Sequence, residues 1–286
     1  MSNNSPEISV LLPVYNTNPT HLKESIESIL NQTFSDFELI IINDASTKNL
    51  DEIINSYNDD RIKYYKNEKN LGITKTRNKL LSLANGKYIA IADHDDISVP
   101  ERFEKEYCFL EKNYEYSVVS GWIETFNEIT GKKKVWKKMP FPKLLDYLKE
   151  SEILHPACMW RKADFEKFNL KYEDDYFGAQ DYAMFAKAAR YLKGANIQEV
   201  LLKYRKHKNN VSNQRQKICI DTEKIQNEIL DFLTYDKNLR KKIFDQYAFP
   251  KVSFKEKIFS MKNTHNYKLI RIFGFLIKIK LFKTNQ

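Results

Sequence analysis

Three carboxylates follow an apolar run in the first third of the chain. The run covers residues 88–92 and is followed directly by Asp93, His94, Asp95 and Asp96. Hard divalent cations prefer oxygen ligands and leave coordination positions open for the phosphates of a substrate. Acidic residues after a strand can also form a solvated turn or cap a helix. We therefore predict a site for a metal ion and a nucleotide here, with a simple turn as the alternative.

Polar residues follow two earlier apolar runs in the same way. Pro13 closes the first run, Tyr15 comes just after it, and Asp44 follows the second run. Ligands of open α/β sheets bind outside the carboxyl ends of the strands. A flat base could rest near Tyr15, with Asp44 accepting a hydrogen bond from a ring N–H. Asp44 alone is equally compatible with an ordinary turn, but three such loops indicate a shared crevice.

Arg77 adds a cation on a segment with helical periodicity, and it could approach a diphosphate. The alternative is a solvated position on the helix surface. The seven glycines of the chain form neither a P-loop nor a dinucleotide-binding fingerprint. The pattern therefore excludes the phosphate-binding loops of P-loop and dinucleotide-binding proteins.

The elements that must position these residues alternate between strand and helix over the first hundred residues. Strands are predicted at 8–14, 37–42, 61–65 and 87–92, and helices at 22–30, 50–57 and 73–84. This order predicts an α/β fold with a mostly parallel central sheet, right-handed crossovers and flanking helices. Further along, strands are predicted at 118–126, 154–160 and 200–204, and helices at 102–113, 141–150, 181–192 and 215–247.

Composition limits the classes of partner. Of the net charge of +9, the segment 251–286 carries +8, from nine Lys or Arg and one Glu. A nucleic-acid enzyme would carry its positive charge around the cleft, so we expect no nucleic-acid partner. The three cysteines have no metal-type spacing, and no signal peptide or spanning segment is evident. We therefore expect a cytoplasmic protein.

The motifs, taken in order, closely resemble those of the inverting family 2 glycosyltransferases. They occupy residues 11–16, 43–46, 70–78, 93–96, 180–182 and 204–207. The resemblance covers roughly residues 7–212 and does not extend to 251–286. Sugar nucleotidyltransferases also use a metal and an α/β sheet, but they are expected to carry a glycine-rich loop after the first strand, and residues 13–19 contain no glycine.

The resemblance implies a GT-A fold that binds a nucleotide diphosphate sugar, most often a uridine (UDP) sugar. It assigns Pro13, Tyr15 and Asp44 to nucleotide binding, Arg77 to the nucleotide sugar, and Asp93 to the ribose or sugar. His94 fills a variable position of the motif and receives no role.

The resemblance also assigns the metal, the base and the acceptor pocket. Asp95 would bind Mn²⁺ or Mg²⁺, and His207 aligns with a position that completes the metal site in some relatives; the alternative is an exposed histidine. Asp181 would be the catalytic base, although a carboxylate that opens a helix is otherwise a cap. Gln180 stands where many relatives have an acidic residue, so it would orient the acceptor or the base. His155 would line the acceptor pocket, or it is a buried, hydrogen-bonded histidine.

These assignments predict a GT-A catalytic domain over 1–212, with a nucleotide-sugar half at about 1–100 and an acceptor half at about 101–212. A helical C-terminal region with a basic amphipathic tail would occupy 213–286. The tail suits an anionic membrane surface, which would make the protein peripheral on the inner face of the membrane; packing on the catalytic domain is the alternative.

The predicted activity is metal-dependent, inverting transfer of a hexose or N-acetylhexosamine to a bacterial surface glycan. The acceptor would be a free or lipid-linked glycan of lipopolysaccharide, lipooligosaccharide or capsule synthesis. A sugar nucleotidyltransferase and a non-catalytic glycosyltransferase-like binding protein are the alternatives.

Overall fold

The computed structural model of the chain describes residues 5–176, 178–207, 210 and 215–248, and the backbone of three later strands. Its elements are, in order, β1 (Ile8–Val14), α1 (Pro19–Leu30), β2 (Phe37–Asn43), α2 (Asp51–Asn55), β3 (Ile62–Lys66), α3 (Ile73–Leu83), β4 (Tyr88–Ile91), β5 (Ile97–Ser98), α4 (Arg102–Lys112), β6 (Tyr116–Asn127), β7 (Lys133–Trp136), β8 (Cys158–Arg161), α5 (Lys162–Lys167), α6 (Gln180–Ala188), β9 (Lys193–Lys206), α7 (Arg215–Leu233), α8 (Lys237–Tyr247), β10 (Phe259–Asn263), β11 (Tyr267–Ile272) and β12 (Phe275–Lys280).

The central sheet has the strand order β3-β2-β1-β4-β8-β6-β9-β5, and β7 pairs with β6. The first four strands in this order are parallel to one another. Strand β8 runs antiparallel to both β4 and β6, and β6 is parallel to β9. The predicted α/β fold is confirmed, and β8 joins its two halves into one sheet.

Both faces of the sheet are buried at β1, β2 and β4, which explains why these three strands are mostly apolar. In β2, Leu39 and Ile41 pack into one apolar cluster, while Ile40 and Ile42 pack into another. The first cluster includes α1 and α4, and the second includes α3, α6 and α7. Since successive side chains of a strand point to opposite faces, the helices lie on both sides of the sheet.

Two predicted elements of the second half take a tighter form. The helix expected at 141–150 is a 3₁₀ helix over Leu144–Leu148. The strand expected at 154–160 begins with a 3₁₀ turn over His155–Ala157, and only Cys158–Arg161 is a strand. Pro156 has no N–H for a ladder and prefers the first turn of a helix, which accounts for the late start of the strand.

The C-terminal region is helical through α7 and α8, as predicted, but the described segments between 259 and 280 are not helical. Strands β10, β11 and β12 form an antiparallel sheet of their own. From Ile277 to Lys280 apolar and basic residues alternate, and isoleucine favours strands, so a period of two describes this sequence better than a helical period. Other residues of the tail lie outside the described part of the chain. In the described residues, no helix is both long and apolar enough to cross a membrane.

Candidate active site

Parallel pairing brings the three predicted motif loops to one edge of the sheet. Val14 at the end of β1 lies opposite Asn43 at the end of β2, and the N–H of Asp44 donates to the carbonyl of Val14 at 2.8 Å. The N–H of Ala92, just after β4, donates to the carbonyl of Leu11 at 3.1 Å. The loops after β1, β2 and β4 therefore open into the same crevice.

The Asp44 carboxylate holds the loop that leads into α3. The side chain is 3% exposed and accepts hydrogen bonds from Asn67 Nδ2 at 2.8 Å and from the N–H groups of Leu71 and Gly72, both at 2.9 Å. Gly72 has φ of +82°, which glycine adopts without strain. Because an ionised carboxylate has about four acceptor positions, one remains for a ring N–H of a base.

Tyr15 and Pro13 differ in their access to the crevice. The Tyr15 side chain is 45% exposed, so a base could stack on it. Pro13 is buried inside β1, opposite Ile42, and its contacts belong to the sheet. The N–H of Asn16 donates to Ser46 Oγ at 3.0 Å. This hydrogen bond connects the loop after β1 to the loop after β2.

Arg77 interacts both with Asp93, just after β4, and with Asp181, the predicted base. Its Nη2 donates to Asp93 Oδ1 at 3.1 Å, and its guanidinium lies 5.4 Å from the ring centroid of Tyr172. Burial opposes the charged form of Arg77, but Asp93, Tyr172 and Asp181 together raise its pKa. The side chain is therefore a fixed cation between two carboxylates.

Asp181 lies in the first turn of α6 and is partly exposed. Its Oδ1 accepts from the N–H of Tyr182 at 2.8 Å, while the N-cap position of the helix is Ala179. Burial raises the pKa of the Asp181 carboxyl, and the charge of Arg77 opposes this shift. A carboxylate with a raised pKa is a stronger base than an ordinary aspartate and is suited to accept a proton from a hydroxyl.

Asp95 and His207 are in contact where the loop after β4 lies beside the end of β9. Asp95 Oδ2 and His207 Nε2 are 2.7 Å apart, and both side chains are mostly buried, with 13% and 26% exposed. The described residues contain no group of three or more His, Cys, Asp or Glu side chains arranged to hold a metal. Ions that bridge phosphates commonly keep only one or two protein ligands, so this oxygen and nitrogen pair could hold Mn²⁺ or Mg²⁺.

Arg205 stabilises the loop formed by residues 93–96, and the sequence analysis did not predict this role. The side chain is 2% exposed, its Nε donates to the carbonyl of Asp95 at 2.8 Å, and its guanidinium also pairs with Glu24 and Glu128. The N–H of Arg205 donates to Asp96 Oδ1 at 2.9 Å. Its only sequence signal was its place beside His207 in the 204–207 motif.

Asp96 supports this loop rather than facing a ligand. Its side chain is 2% exposed, and burial together with the neighbouring charges of Asp95 and Asp93 raises the pKa of its carboxyl well above the ordinary value. The hydrogen bond from Arg205 opposes that shift. Of the three carboxylates, Asp93 and Asp95 are therefore the two that remain available to the crevice.

His155 lies in the core beneath the site. It is 3% exposed, and its Nε2 is 2.8 Å from the hydroxyl of Tyr172. Burial lowers the pKa of His155 to about 3, so the ring is neutral. This placement favours the alternative of a satisfied buried histidine over direct contact with an acceptor. Gln180 is also buried, but it lines a cavity beside α6.

Asn78 connects the two halves of the site. Its Nδ2 donates to the carbonyl of Tyr172 at 2.8 Å, and its Oδ1 accepts from the N–H of the same residue at 3.0 Å. Because the Tyr172 ring covers Arg77, this pair of hydrogen bonds fixes an acceptor-side segment against the helix that carries Arg77. Tyr172 belongs to no motif, and the sequence held no signal for it.

Comparison with known proteins agrees with this architecture. The family model described as Glycosyl transferase family 2 matches residues 9–192. An uncharacterized glycosyltransferase of Methanocaldococcus jannaschii is 40% identical over 207 residues, which cover 70% of this chain and 71% of that protein. An Escherichia coli protein named UDP-Gal:alpha-D-GlcNAc-diphosphoundecaprenol beta-1,3-galactosyltransferase is 34% identical over 211 residues, which cover 72% of this chain and 76% of its own.

A solved structure shares the fold at much lower sequence identity. The crystal structure of S. aureus TarS 1-349 in complex with UDP-GlcNAc is similar with a TM-score of 0.67 at 18% identity, over 87% of this chain and 77% of that chain. The GT-A fold expected from the motifs is therefore confirmed.

Proposed function

The chain belongs to glycosyltransferase family 2, and on that premise we propose that it transfers a hexose or N-acetylhexosamine from a UDP-sugar with inversion. The observation that carries this proposal is the position of Arg77, which donates to Asp93 and interacts electrostatically with Asp181. One cation thus faces a carboxylate of the nucleotide-sugar half and a carboxylate of the acceptor half.

The proposed reaction is a single displacement. An acceptor hydroxyl attacks the anomeric carbon while UDP leaves from the opposite face of the sugar. Asp181 takes the hydroxyl proton, a role that its raised pKa supports. Arg77 keeps Asp181 ionised and contributes positive charge near the leaving diphosphate.

The UDP-sugar donor is held by residues of the loops after β1, β2 and β4. Asp44 accepts a hydrogen bond from the base through its remaining acceptor position, and the exposed Tyr15 ring covers the base. Asp93 accepts from the ribose or sugar, which is supported by its place at the end of β4 beside Arg77.

Asp95 and His207 would hold Mn²⁺ or Mg²⁺, which supplies positive charge to the diphosphate as it leaves. The support is their 2.7 Å contact, which places an oxygen and a nitrogen that can bind a metal next to each other. Arg205 and Asp96 keep this pair in place through the backbone of the loop.

For the acceptor we propose a lipid-linked glycan of bacterial surface-glycan synthesis, in a lipopolysaccharide, lipooligosaccharide or capsule pathway. The E. coli relative is named for a GlcNAc-diphosphoundecaprenol acceptor. The net charge of +8 in 251–286 suits an anionic membrane surface, which would bring a cytoplasmic enzyme to such an acceptor. We propose residues 1–212 as the catalytic domain and 213–286 as the appendage.

A donor panel tests this function. UDP-glucose, UDP-galactose, UDP-GlcNAc and GDP-mannose are compared by thermal shift with and without Mn²⁺, because a ligand that binds the folded state raises the melting temperature. The binding donor is then incubated with an alkyl GlcNAc diphosphate, and the product anomer is assigned by NMR. Stabilisation by a UDP-sugar and an inverted product are expected.

The same panel separates the alternatives. A retained anomer would rule out the single displacement, and stabilisation by GDP-mannose alone would rule out the uridine donor. Formation of a UDP-sugar from UTP and a sugar 1-phosphate would identify a nucleotidyltransferase. Binding of a donor with neither hydrolysis nor transfer would identify a binding protein.

A further inference from the structure

We infer that a cavity between α6, α7 and the segment 171–176 binds a neutral, hydroxyl-rich sugar unit of the acceptor. The inference rests on the proposed function and names a second contact region for its acceptor. The cavity has a volume of about 280 Å³, which is close to the lower limit of small-molecule sites, about 300 Å³, and suits one sugar ring.

Two of the three elements that line the cavity also carry residues of the candidate active site. On one side, Gln180, Ala183 and Lys187 line it from a single face of α6, and Gln180 directly precedes Asp181 in the first turn. On the other side lies the segment that carries Tyr172, the residue whose ring covers Arg77. A glycan with its reactive hydroxyl near Asp181 can therefore extend along α6 into the cavity.

Six of the seven charged residues that line the cavity form three ion pairs, and Lys171 is the seventh. The ion pairs are Lys187 with Glu173 at 3.0 Å, Arg190 with Glu228 at 3.9 Å, and Lys224 with Asp175 at 3.9 Å. Two of these separations exceed hydrogen-bonding distance, so a hydroxyl can accept from the cation and donate to the carboxylate of the same pair. Each pair offers one donor and one acceptor, and a hydroxyl group can use both, whereas an ionised oxygen only accepts. The three pairs therefore favour a neutral, hydroxyl-rich sugar.

Two further contacts connect residues that line the cavity. The hydroxyl of Tyr176 donates to Glu228 Oε1 at 2.6 Å, and the ammonium of Lys224 lies 4.2 Å from the Tyr176 ring centroid. Within the described part of the chain, the buried Nε of Arg190 has no hydrogen-bond partner. Since buried donors are almost always paired, a ligand oxygen at this end of the cavity would satisfy it.

Filling the cavity without removing a charge tests the inference. Ala183→Leu places three extra carbons on the α6 wall, and Ala183→Ser is the matched small variant. The probe is methyl N-acetyl-α-glucosaminide, titrated by NMR in the presence of UDP. We expect Ala183→Leu to weaken probe binding at least tenfold and Ala183→Ser to leave it within about twofold. Equal binding by Ala183→Leu and the parent protein, or no binding by the parent, would overturn the inference.

A charge variant and a competitor test the ligand class. Lys187→Gln should weaken probe binding, whereas Lys105→Gln, which removes a lysine paired with Glu199 at 2.6 Å outside the cavity, should not. Equal effects of the two variants, or displacement of the probe by inorganic phosphate, would contradict a neutral-sugar site. Hydrolysis of the UDP-sugar by the parent protein is followed separately, so loss of the proposed function and loss of the cavity's role are distinguishable.

Discussion

Asp95 and His207 are 112 positions apart in the chain, and their side chains meet with Oδ2 and Nε2 separated by 2.7 Å. The acidic loop after β4 brings one, and the end of β9 brings the other. Arg205 lies near the end of β9 and connects the two elements, since its Nε donates to the carbonyl of Asp95. The candidate metal position is therefore built by strand packing, not by a local motif.

Removing either side chain of this pair should weaken the response to metal. We expect Asp95→Asn and His207→Ala to raise the Mn²⁺ concentration for half-maximal sugar transfer at least tenfold, because each removes one of two protein donors. His94→Ala is the control, since His94 neighbours Asp95 in sequence, but its Nδ1 lies 3.9 Å from Asp95 Oδ1, too far for a hydrogen bond. An unchanged Mn²⁺ response in both variants, or an equal change in His94→Ala, would contradict the assignment.

Replacing Arg77 by lysine should impair transfer although the charge is kept. A lysine ammonium cannot reproduce the planar contact with the Tyr172 ring while also reaching Asp93. We expect kcat/KM to fall by roughly 10- to 100-fold, or about 1.4 to 2.7 kcal/mol. Arg61→Lys is the matched control, because Arg61 pairs with Asp59 at 2.7 Å before β3, away from the carboxyl ends of the strands. Equal losses in both variants would indicate a general effect on folding.

Asp44→Asn should destabilise the fold as well as weaken donor binding. The carboxylate accepts from three N–H groups, and an amide would turn its Nδ2 towards at least one of these donors. A buried donor without a partner costs about 1–3 kcal/mol. We expect a lower melting temperature in the absence of ligand, measured by calorimetry. An unchanged melting temperature combined with weaker UDP binding would mean that Asp44 serves the base alone.

Glu106 should make stability depend on pH near neutrality. Its side chain is fully buried beside Arg102, and burial raises the pKa of its carboxyl from 4.5 to about 7, against the effect of Arg102. Because the folded-state pKa is the higher one, the folded state binds the proton more tightly. The stabilising contribution is thus present below pH 4.5 and is lost as the pH rises through about 7, a loss on the order of 3 kcal/mol at most.

Urea unfolding at about pH 5 and about pH 8 measures this contribution. We expect the free energy of unfolding of the parent protein to fall more between these pH values than that of Glu106→Gln, whose amide does not titrate. Parallel changes in the two proteins would show that Glu106 does not contribute.

The meeting of the loops after β2 and β4 at one edge of the sheet was predictable because the information for it is local. Apolar runs closed by Asp44 or Asp93 specify buried strands with polar ends, and parallel pairing then places these ends together. The same reasoning could not assign Asp96, because its carboxylate accepts a hydrogen bond from the N–H of Arg205, which lies 109 positions away.

The surroundings of His155 and Arg205 were harder to predict, because they too depend on contacts between residues far apart in the chain. His155 was expected either at the acceptor or in the core, and only the packing of Tyr172 against it favours the core. The partners of Arg205, Glu24 and Glu128, belong to α1 and to the hairpin loop after β6, and no spacing in the sequence relates them. In the tail, a mixture of basic and apolar residues was compatible with both helical and strand periods.

Asp181→Asn tests whether Asp181 is the catalytic base, because it removes the carboxylate and keeps the shape of the side chain. Sugar transfer from a labelled donor is measured beside UDP-sugar binding, with Asp164→Asn, in the first turn of α5, as the matched control. We predict that Asp181→Asn reduces kcat by roughly 10²- to 10⁴-fold, that donor affinity stays within about twofold, and that Asp164→Asn transfers normally. Undiminished turnover by Asp181→Asn would contradict the account.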